Sequence, residues 1–138
     1  MTLAISEIST GKAFELAQPS LEDKDVPVLI RWLAKPQKAW AAFHDDDLLA
    51  VWGLIPPTLL SEVAYLWMIT FPAAEEHKFI FMRRTKVQIE QMLELYPTII
   101  GDCEASASRS IRWLRYMGAE FTEEHNGLLR FVIRKHHG

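Results

Sequence analysis

Histidine and cysteine side chains that could bind a metal lie at separate places in this 138-residue chain. His136 and His137 stand at the C-terminus, and His125 and Cys103 precede them. Imidazole and thiolate groups bind zinc when they recur at short, regular spacings, which these four lack. Terminal histidines without such spacing are typical of solvated chain ends. We therefore predict no metal site, and we predict that Cys103, inside an apolar strand, is a buried and unreactive thiol.

Serine and aspartate clusters could support a second kind of chemistry. Ser106, Ser108 and Ser110 could act as nucleophiles, but no histidine and aspartate accompany them in a triad pattern. Their position before a segment of helical periodicity is typical of N-caps. Asp45–Asp47 could bind a cation, yet these residues lie between two apolar runs, where aspartates favour a hairpin turn. Both clusters are therefore predicted to be structural.

A basic group on the last predicted helix is the remaining candidate for binding. Arg109, Arg112 and Arg115 recur at i, i+3 and i+6 and could form one exposed strip. A solvated helix face is the more frequent explanation of such a run. The alternative is an acidic partner or nucleic acid, bound together with the basic residues of the preceding helix, Arg83, Arg84 and Lys86. The net charge of −3 gives no bulk attraction to nucleic acid or to an anionic membrane, so neither is expected as a partner.

Length and composition predict a single domain spanning residues 1–138, with an apolar content of 49% that suits a sizeable core. The single cysteine favours a reducing compartment. The N-terminal segment lacks the basic and long apolar stretches of a signal peptide. No apolar run approaches the roughly 20 residues that span a bilayer. We expect a soluble intracellular protein.

Hydrophobic periodicity and turn signals predict an α+β (mixed α/β) fold with one central, mostly antiparallel, twisted sheet of about six to seven strands and about four helices. Asn126-Gly127 is the strongest hairpin signal. The predicted elements are a strand over 3–8, a helix starting at Ser20 or Asp25 and ending near Ala34, a hairpin of 38–44 and 48–54, a strand over 62–70, a long helix from Pro72 to Pro97, a strand over 98–104, a helix ending at Gly118, and a hairpin of 119–125 and 128–135.

That order of elements resembles the GNAT N-acetyltransferase fold. The segment Ser110-Ile-Arg-Trp-Leu-Arg-Tyr-Met-Gly-Ala-Glu-Phe-Thr-Glu-Glu124 is similar to the corresponding segment of the small acetyltransferase-like internal virion proteins of podoviruses. In that family, too, a basic long helix ends in a tyrosine, and a strand leads to a helix closing on Gly-Ala. The similarity in motif covers residues 77 to 125. It implies a phage- or prophage-encoded protein with other virion proteins as partners, located in the virion or in the cytoplasm of the bacterial host.

The GNAT resemblance implies a phosphate-binding loop, Arg/Gln-x-x-Gly-x-Gly/Ala, whose glycines let the backbone approach the CoA pyrophosphate at a helix N-terminus. The segment 71–81 contains no glycine, and Glu75 and Glu76 place negative charge at that position. We therefore expect no cofactor, a degenerate acyl-CoA site and a binding or structural role. The alternative is an active acyl-CoA-dependent N-acetyltransferase that uses acetyl-CoA.

For the alternative, the resemblance implies candidates for each role. Glu104 at a strand end would be the general base, and Tyr116 would protonate the leaving thiolate. Enzymatic members often have that tyrosine four residues before the glycine, where this chain has Leu114. The candidate cofactor-binding residues are Trp67, Met68, Ile69, Lys78, Ser106 and Ser108.

Overall fold

The computed structural model describes residues 3–58 and 60–135, and their strands form a seven-stranded sheet of order β1-β2-β3-β4-β5-β7-β6. Strand β4 is parallel to β5, whereas β1–β2, β2–β3, β5–β7 and β6–β7 are antiparallel. This confirms the predicted α+β class. The elements are β1 (Leu3–Ile8), α1 (Thr10–Ala17), α2 (Val26–Leu33), β2 (Lys38–His44), β3 (Asp47–Ile55), β4 (Val63–Thr70), α3 (Pro72–Glu76), α4 (Lys78–Leu95), β5 (Thr98–Glu104), α5 (Ser108–Tyr116), β6 (Glu120–His125) and β7 (Leu128–Arg134).

The chain divides into two compact units. The first runs to Ile55 and includes Leu66–Phe81, and the second comprises Pro56–Tyr65 and the chain from Met82 onward. Across the described ranges, no helix is both long and apolar enough to cross a membrane.

The core of the first unit is the β2–β3 hairpin, whose strands are buried along most of their length. Both strands read as apolar runs without alternation, which is typical of strands covered on both faces. Asp45 begins the turn with φ of 54°, a left-handed conformation that aspartate tolerates. This confirms the predicted hairpin turn at the aspartates, although Asp47 already belongs to β3.

Helix α2 begins after Asp25, with Pro27 in its first turn. Proline suits that position because its missing N–H would have no partner inside the helix. The later of the two predicted starts is therefore confirmed. The expectation that Ser20 caps this helix is wrong, because Ser20 ends a separate 3-10 turn that starts at Gln18.

The long helix predicted from Pro72 is divided at His77, whose ψ of 32° is not helical. The His77 N–H donates to the Ala73 carbonyl, and the His77 carbonyl accepts from Phe81. The imidazole of His77 stacks on that of His44, with ring centroids 3.8 Å apart. A tertiary contact thus fixes the break, and the described residues contain five α-helices rather than about four.

In the second unit, helices α4 and α5 each bury one side against the sheet or against each other. Thr85, Ile89 and Met92 of α4 are buried, as are Leu114 and Met117 at the end of α5. The Trp113 indole Nε1 donates to Thr85 Oγ1 at 3.3 Å, which joins α5 to α4.

The ends of α5 and of the last hairpin use two glycines as predicted. Gly118 leaves α5 with φ of 94°, and Asn126 and Gly127 form the hairpin turn with φ of 52° and 81°. The predicted serine caps are wrong. Ala107 occupies the N-cap position of α5 without a side-chain bond, and Ser108 is already inside the helix.

Gly53 in β3 supplies a test of packing in the first unit. A Cβ at this position would collide with the Trp67 indole and the Gln37 amide. We expect Gly53→Ala to lower the free energy of unfolding by about 1–3 kcal/mol, because an overpacked core must shift its backbone or rotamers. Urea denaturation measures this loss. Gly11→Ala, in the exposed first turn of α1, is the matched control and should not destabilise. Equal stability of the Gly53→Ala variant would contradict the described packing.

Candidate functional site

Strand β4 contains three of the residues that would contact acetyl-CoA if the chain were an active acetyltransferase. Its pairing with β5 covers three residue pairs, from Val63↔Thr98 to Tyr65↔Ile100. Strand β5 continues to pair with β7 as far as Glu104↔Leu128. The later part of β4, Leu66–Thr70, belongs to the first unit. Any ligand that pairs with the β4 backbone would therefore use this later part.

The side chains of that segment are mostly occupied by the fold. Trp67 is buried, its indole Nε1 donates to Gln37 Oε1 at 2.7 Å, and its ring stacks on Trp32 at 5.5 Å. Met68 and Ile69 are half-buried. Among the three candidate cofactor-binding residues on β4, Trp67 could contact a cofactor only through its backbone, because its side chain is packed in the core.

The connection from β4 to α3 is the place where the GNAT resemblance implies a phosphate-binding loop. Only Phe71 separates β4 from α3, and Pro72 begins the helix without a backbone N–H. Glu75 lies in the first turn of α3. The predicted ligand Lys78 is exposed, with its Nζ 3.8 Å from a Glu75 oxygen. The connection therefore contains neither glycine nor a loop that could surround a pyrophosphate, so these residues do not fit that part of CoA.

The remaining predicted residues lie in the second unit. Glu104 is exposed at the end of β5, and its carbonyl accepts from the Ala107 N–H. Ser106 and Ser108 are exposed, and the Ser108 N–H donates to the Ser106 carbonyl. Tyr116 ends α5, 44% exposed, with the Lys86 Nζ 4.7 Å from its ring centroid. The structure thus places Tyr116 against α4, and its proton-donor role stays a prediction.

A polar cluster in the second unit was not predicted. Arg130 donates from Nε to Asp102 Oδ1 at 2.8 Å and from a terminal nitrogen to Oδ2 at 3.2 Å. The Tyr65 hydroxyl donates to Asp102 Oδ2 at 3.2 Å. Burial, followed by the Asp102 charge and hydrogen bond, raises the pKa of Tyr65 to about 12. The phenol is therefore neutral at physiological pH, and it orients Asp102 rather than serving as a base.

The sequence contains no local signal for this cluster. Tyr65, Asp102 and Arg130 come from three strands, and only the registers of β4 with β5 and of β5 with β7 bring them together. Asp102 lies directly opposite Arg130. We expected at most one of Asp102 and Glu104 to face a given pocket, whereas residues two apart on a strand share a face. The partner of either acid depends on a strand much later in the chain.

A groove of about 390 Å³ borders this cluster. It has a net negative charge, because the Asp102 and Arg130 charges offset one another while Glu123, opposite Arg130 on β6, remains. Glu124 borders the groove from the edge strand, but it pairs with Leu129, so its side chain belongs to the other face of the sheet. Such a groove favours cationic groups. Its lining consists of Asp102, Glu123, Glu124, His125, Leu128 and Arg130.

No group of three or more His, Cys, Asp or Glu side chains within residues 3–58 and 60–135 could hold a metal ion. His136 and His137 lie outside the described residues. Cys103 is half-buried rather than fully buried as predicted. Burial, with help from Asp102 and Glu104, raises the pKa of the Cys103 thiol, which makes it a poor nucleophile at neutral pH.

Comparisons with solved structures match almost the entire chain to N-acetyltransferases. PseH of Campylobacter jejuni, in complex with acetyl coenzyme A, has a TM-score of 0.64 and 10% identity over 98% of this chain and 100% of that chain. A Bacillus subtilis acetyltransferase in complex with CoA has a TM-score of 0.65 and 15% identity, over 96% and 97%. A dodecameric spermidine N-acetyltransferase of Vibrio cholerae has a TM-score of 0.66 and 11% identity, over 96% and 94%.

The chain therefore has the GNAT N-acetyltransferase fold, as the sequence resemblance implied. Identities this low establish the fold alone. No protein-family model and no curated protein sequence matches the chain. The narrower resemblance to podoviral virion proteins stays a hypothesis.

The polar cluster predicts a loss of stability in alkali. The pKa of Tyr65 is raised in the folded state, from 10.0 to about 12, so the folded protein holds this proton more tightly than the unfolded chain. The contribution of this proton to the free energy of unfolding is fully present below about pH 10 and is lost as the pH rises through 12. Since the phenol is partly exposed, we expect a loss of about 1–2 kcal/mol.

Urea denaturation at stepped alkaline pH measures this dependence. Tyr65→Phe should flatten the curve over that range, because phenylalanine has no proton to release. Tyr116→Phe, at the surface of α5, is the matched control and should keep the wild-type slope. An unchanged slope in the Tyr65→Phe variant would show that the Tyr65 phenol does not cause the alkaline loss of stability.

Proposed function

We propose that the chain is a binding or structural protein built on a GNAT-like scaffold, with a degenerate acyl-CoA site. The observation that carries this proposal is the connection between β4 and α3. A single residue, Phe71, joins the strand to the helix, and the chain has no glycine between Gly53 and Gly101. Pyrophosphate binding at a helix N-terminus needs several backbone N–H groups that the phosphate can approach closely. Helix α3 has five residues and begins with proline.

The charges near this connection support the same proposal. Glu75 and Glu76 are exposed on α3, so they would stand close to a bound diphosphate. Like charges repel at any dielectric that applies near a protein surface. Lys78 offers a positive charge, but it already pairs with Glu75 at 3.8 Å. The electrostatic balance at the start of α3 and α4 therefore disfavours an anionic cofactor.

The proposal extends to a phage or prophage origin and to association with a virion. Its support is the sequence similarity of Ser110–Glu124 to the internal virion proteins of podoviruses. Under this proposal, the partners are other virion proteins, and the protein is found in the virion or in the host cytoplasm. The scaffold then serves as a folded surface, and the acyl-transfer chemistry of its structural relatives is absent.

The second candidate function is an acyl-CoA-dependent N-acetyltransferase. The comparisons favour it, because the matched structures are acetyltransferases and two of those reported above contain CoA or acetyl coenzyme A. Acetyl-CoA would then lie along the backbone of Met68 and Ile69. Glu104 would act as the base and Tyr116 as the proton donor. The overall fold thus supports this function, whereas the connection between β4 and α3 supports the first.

A calorimetric titration of the full chain with acetyl-CoA separates the two functions. We expect no binding heat, even at millimolar ligand, because the connection at Phe71 offers no phosphate site. The Campylobacter jejuni acetyltransferase PseH, titrated under the same conditions, is the positive control. Micromolar binding to this chain would overturn the first proposal and support the second.

A variant without the two carboxylates tests whether charge or backbone geometry prevents acetyl-CoA from binding. We expect that Glu75→Gln combined with Glu76→Gln still fails to bind acetyl-CoA, because removing the carboxylates creates no loop. The matched control is Glu22→Gln combined with Asp23→Asn, two exposed acids in the first unit. Binding that appears only in the Glu75/Glu76 variant would show that charge alone closes the site, and the scaffold would then be competent for CoA.

A further inference from the structure

The second unit presents a cationic surface, here called the basic strip, formed by Arg83, Lys86, Arg112 and Tyr116. Lys86 Nζ lies 4.7 Å from the Tyr116 ring centroid, which brings this flank of α4 beside the end of α5. On α4, Arg83 precedes Lys86 by three residues, and on α5, Arg112 precedes Tyr116 by four. Each arginine therefore lies one helical turn from its partner, on the same side of its helix. The hydrogen bond between Trp113 and Thr85 fixes the two helices together beneath the strip.

The strip is exposed, and Glu90, one helical turn after Lys86, is the acidic residue that borders it on α4. Arg83, Lys86 and Arg112 are exposed, and Tyr116 presents an aromatic ring that is 44% exposed. The three cations of the strip outnumber the one carboxylate that borders it on α4. A protein with net charge −3 therefore concentrates positive charge on one surface. Charge separation of this kind steers association with a surface of opposite charge.

The same unit carries a surface of opposite charge. The groove between β5 and β6, here called the acidic groove, has Glu123 on β6 and Leu128 on β7 on one face of the sheet, and Glu124 at its edge. Leu128 is 46% exposed, so the groove has an apolar edge as well as negative charge. A cavity of about 390 Å³ accommodates long basic side chains. The two surfaces are therefore complementary in charge, and each includes one exposed apolar group.

We propose that the basic strip of one copy of this chain docks into the acidic groove of a second copy. Lys86 and Arg112 would contact Glu123 and the edge of β6 near Glu124, and the Tyr116 ring would cover Leu128. A second copy is the occupant that the structure favours, because one chain carries both complementary surfaces. The contact joins two different surfaces, so it generates a ring or an open chain of copies rather than an isologous dimer. This proposal is independent of whether acetyl-CoA binds.

Sedimentation velocity of the full chain, over a concentration series at low ionic strength, tests the proposal. We expect association that grows with concentration and weakens at high salt, because screening acts on exposed charge pairs. Lys86→Glu combined with Arg112→Glu should raise the dissociation constant roughly tenfold or more, and Glu123→Lys combined with Glu124→Lys should do the same. An equimolar mixture of the two variants should associate again, since each supplies the surface that the other lacks.

Matched controls carry the same charge changes elsewhere. Arg31→Glu combined with Lys35→Glu, and Glu22→Lys combined with Asp23→Lys, alter exposed residues of the first unit and should associate like the wild type. Circular dichroism checks that each variant folds. If the Lys86/Arg112 reversal does not fold, Lys86→Gln combined with Arg112→Gln replaces it, with a smaller expected weakening.

Three outcomes would overturn the proposal. The first is a monomer at every concentration in low salt. The second is association that the strip and groove variants change no more than their controls do. The third is binding of poly-glutamate or single-stranded DNA to the strip without self-association, which would assign the strip to an acidic protein or to nucleic acid.

Discussion

The second unit depends on one strand, β5, which is hydrogen-bonded on both sides. It pairs with β4 in parallel and with β7 in antiparallel orientation. Because residues on neighbouring strands lie directly opposite one another, this double register decides which side chains meet. It places Asp102 opposite Arg130 and within reach of Tyr65. The polar cluster and the acidic groove are consequences of that register, since neither arises from residues adjacent in sequence.

This dependence explains which parts of the structure the sequence could predict. The Asn126-Gly127 turn, the glycine at the end of α5 and the start of α2 near Pro27 are encoded by residues within a few positions. Strand β5 was predicted with its observed bounds, Thr98–Glu104, because Pro97 precedes a compact apolar run. The Asp102–Arg130 pair needs a register between strands that are 28 residues apart, for which a single sequence contains no signal.

The incorrect predictions have tertiary causes as well. Propensity predicts a continuous helix from Pro72, and nothing in the local sequence opposes it. His77 leaves the helical region where its ring stacks on His44 of β2, a contact between residues far apart in the chain. Three serines near α5 compete as caps, and the chain instead places Ala107 at the N-cap position. Local rules supply the candidates, whereas the geometry of the loop after β5 selects among them.

Strand β4 would serve the fold and a bound cofactor through different groups: its side chains stabilise the core, whereas a cofactor would bind its backbone. The side chain of Trp67 stabilises the core through Trp32, Gln37 and the bare backbone of Gly53. A ligand along β4 would instead use backbone groups that every sequence provides. The fold therefore persists at 8–15% identity to acetyltransferases, while the proposed loss of the diphosphate site concerns the connection at Phe71. Substitution of Trp67 would lower stability before it reported on any cofactor, so cofactor binding has to be tested at Glu75 and Glu76 of α3, whose side chains are exposed.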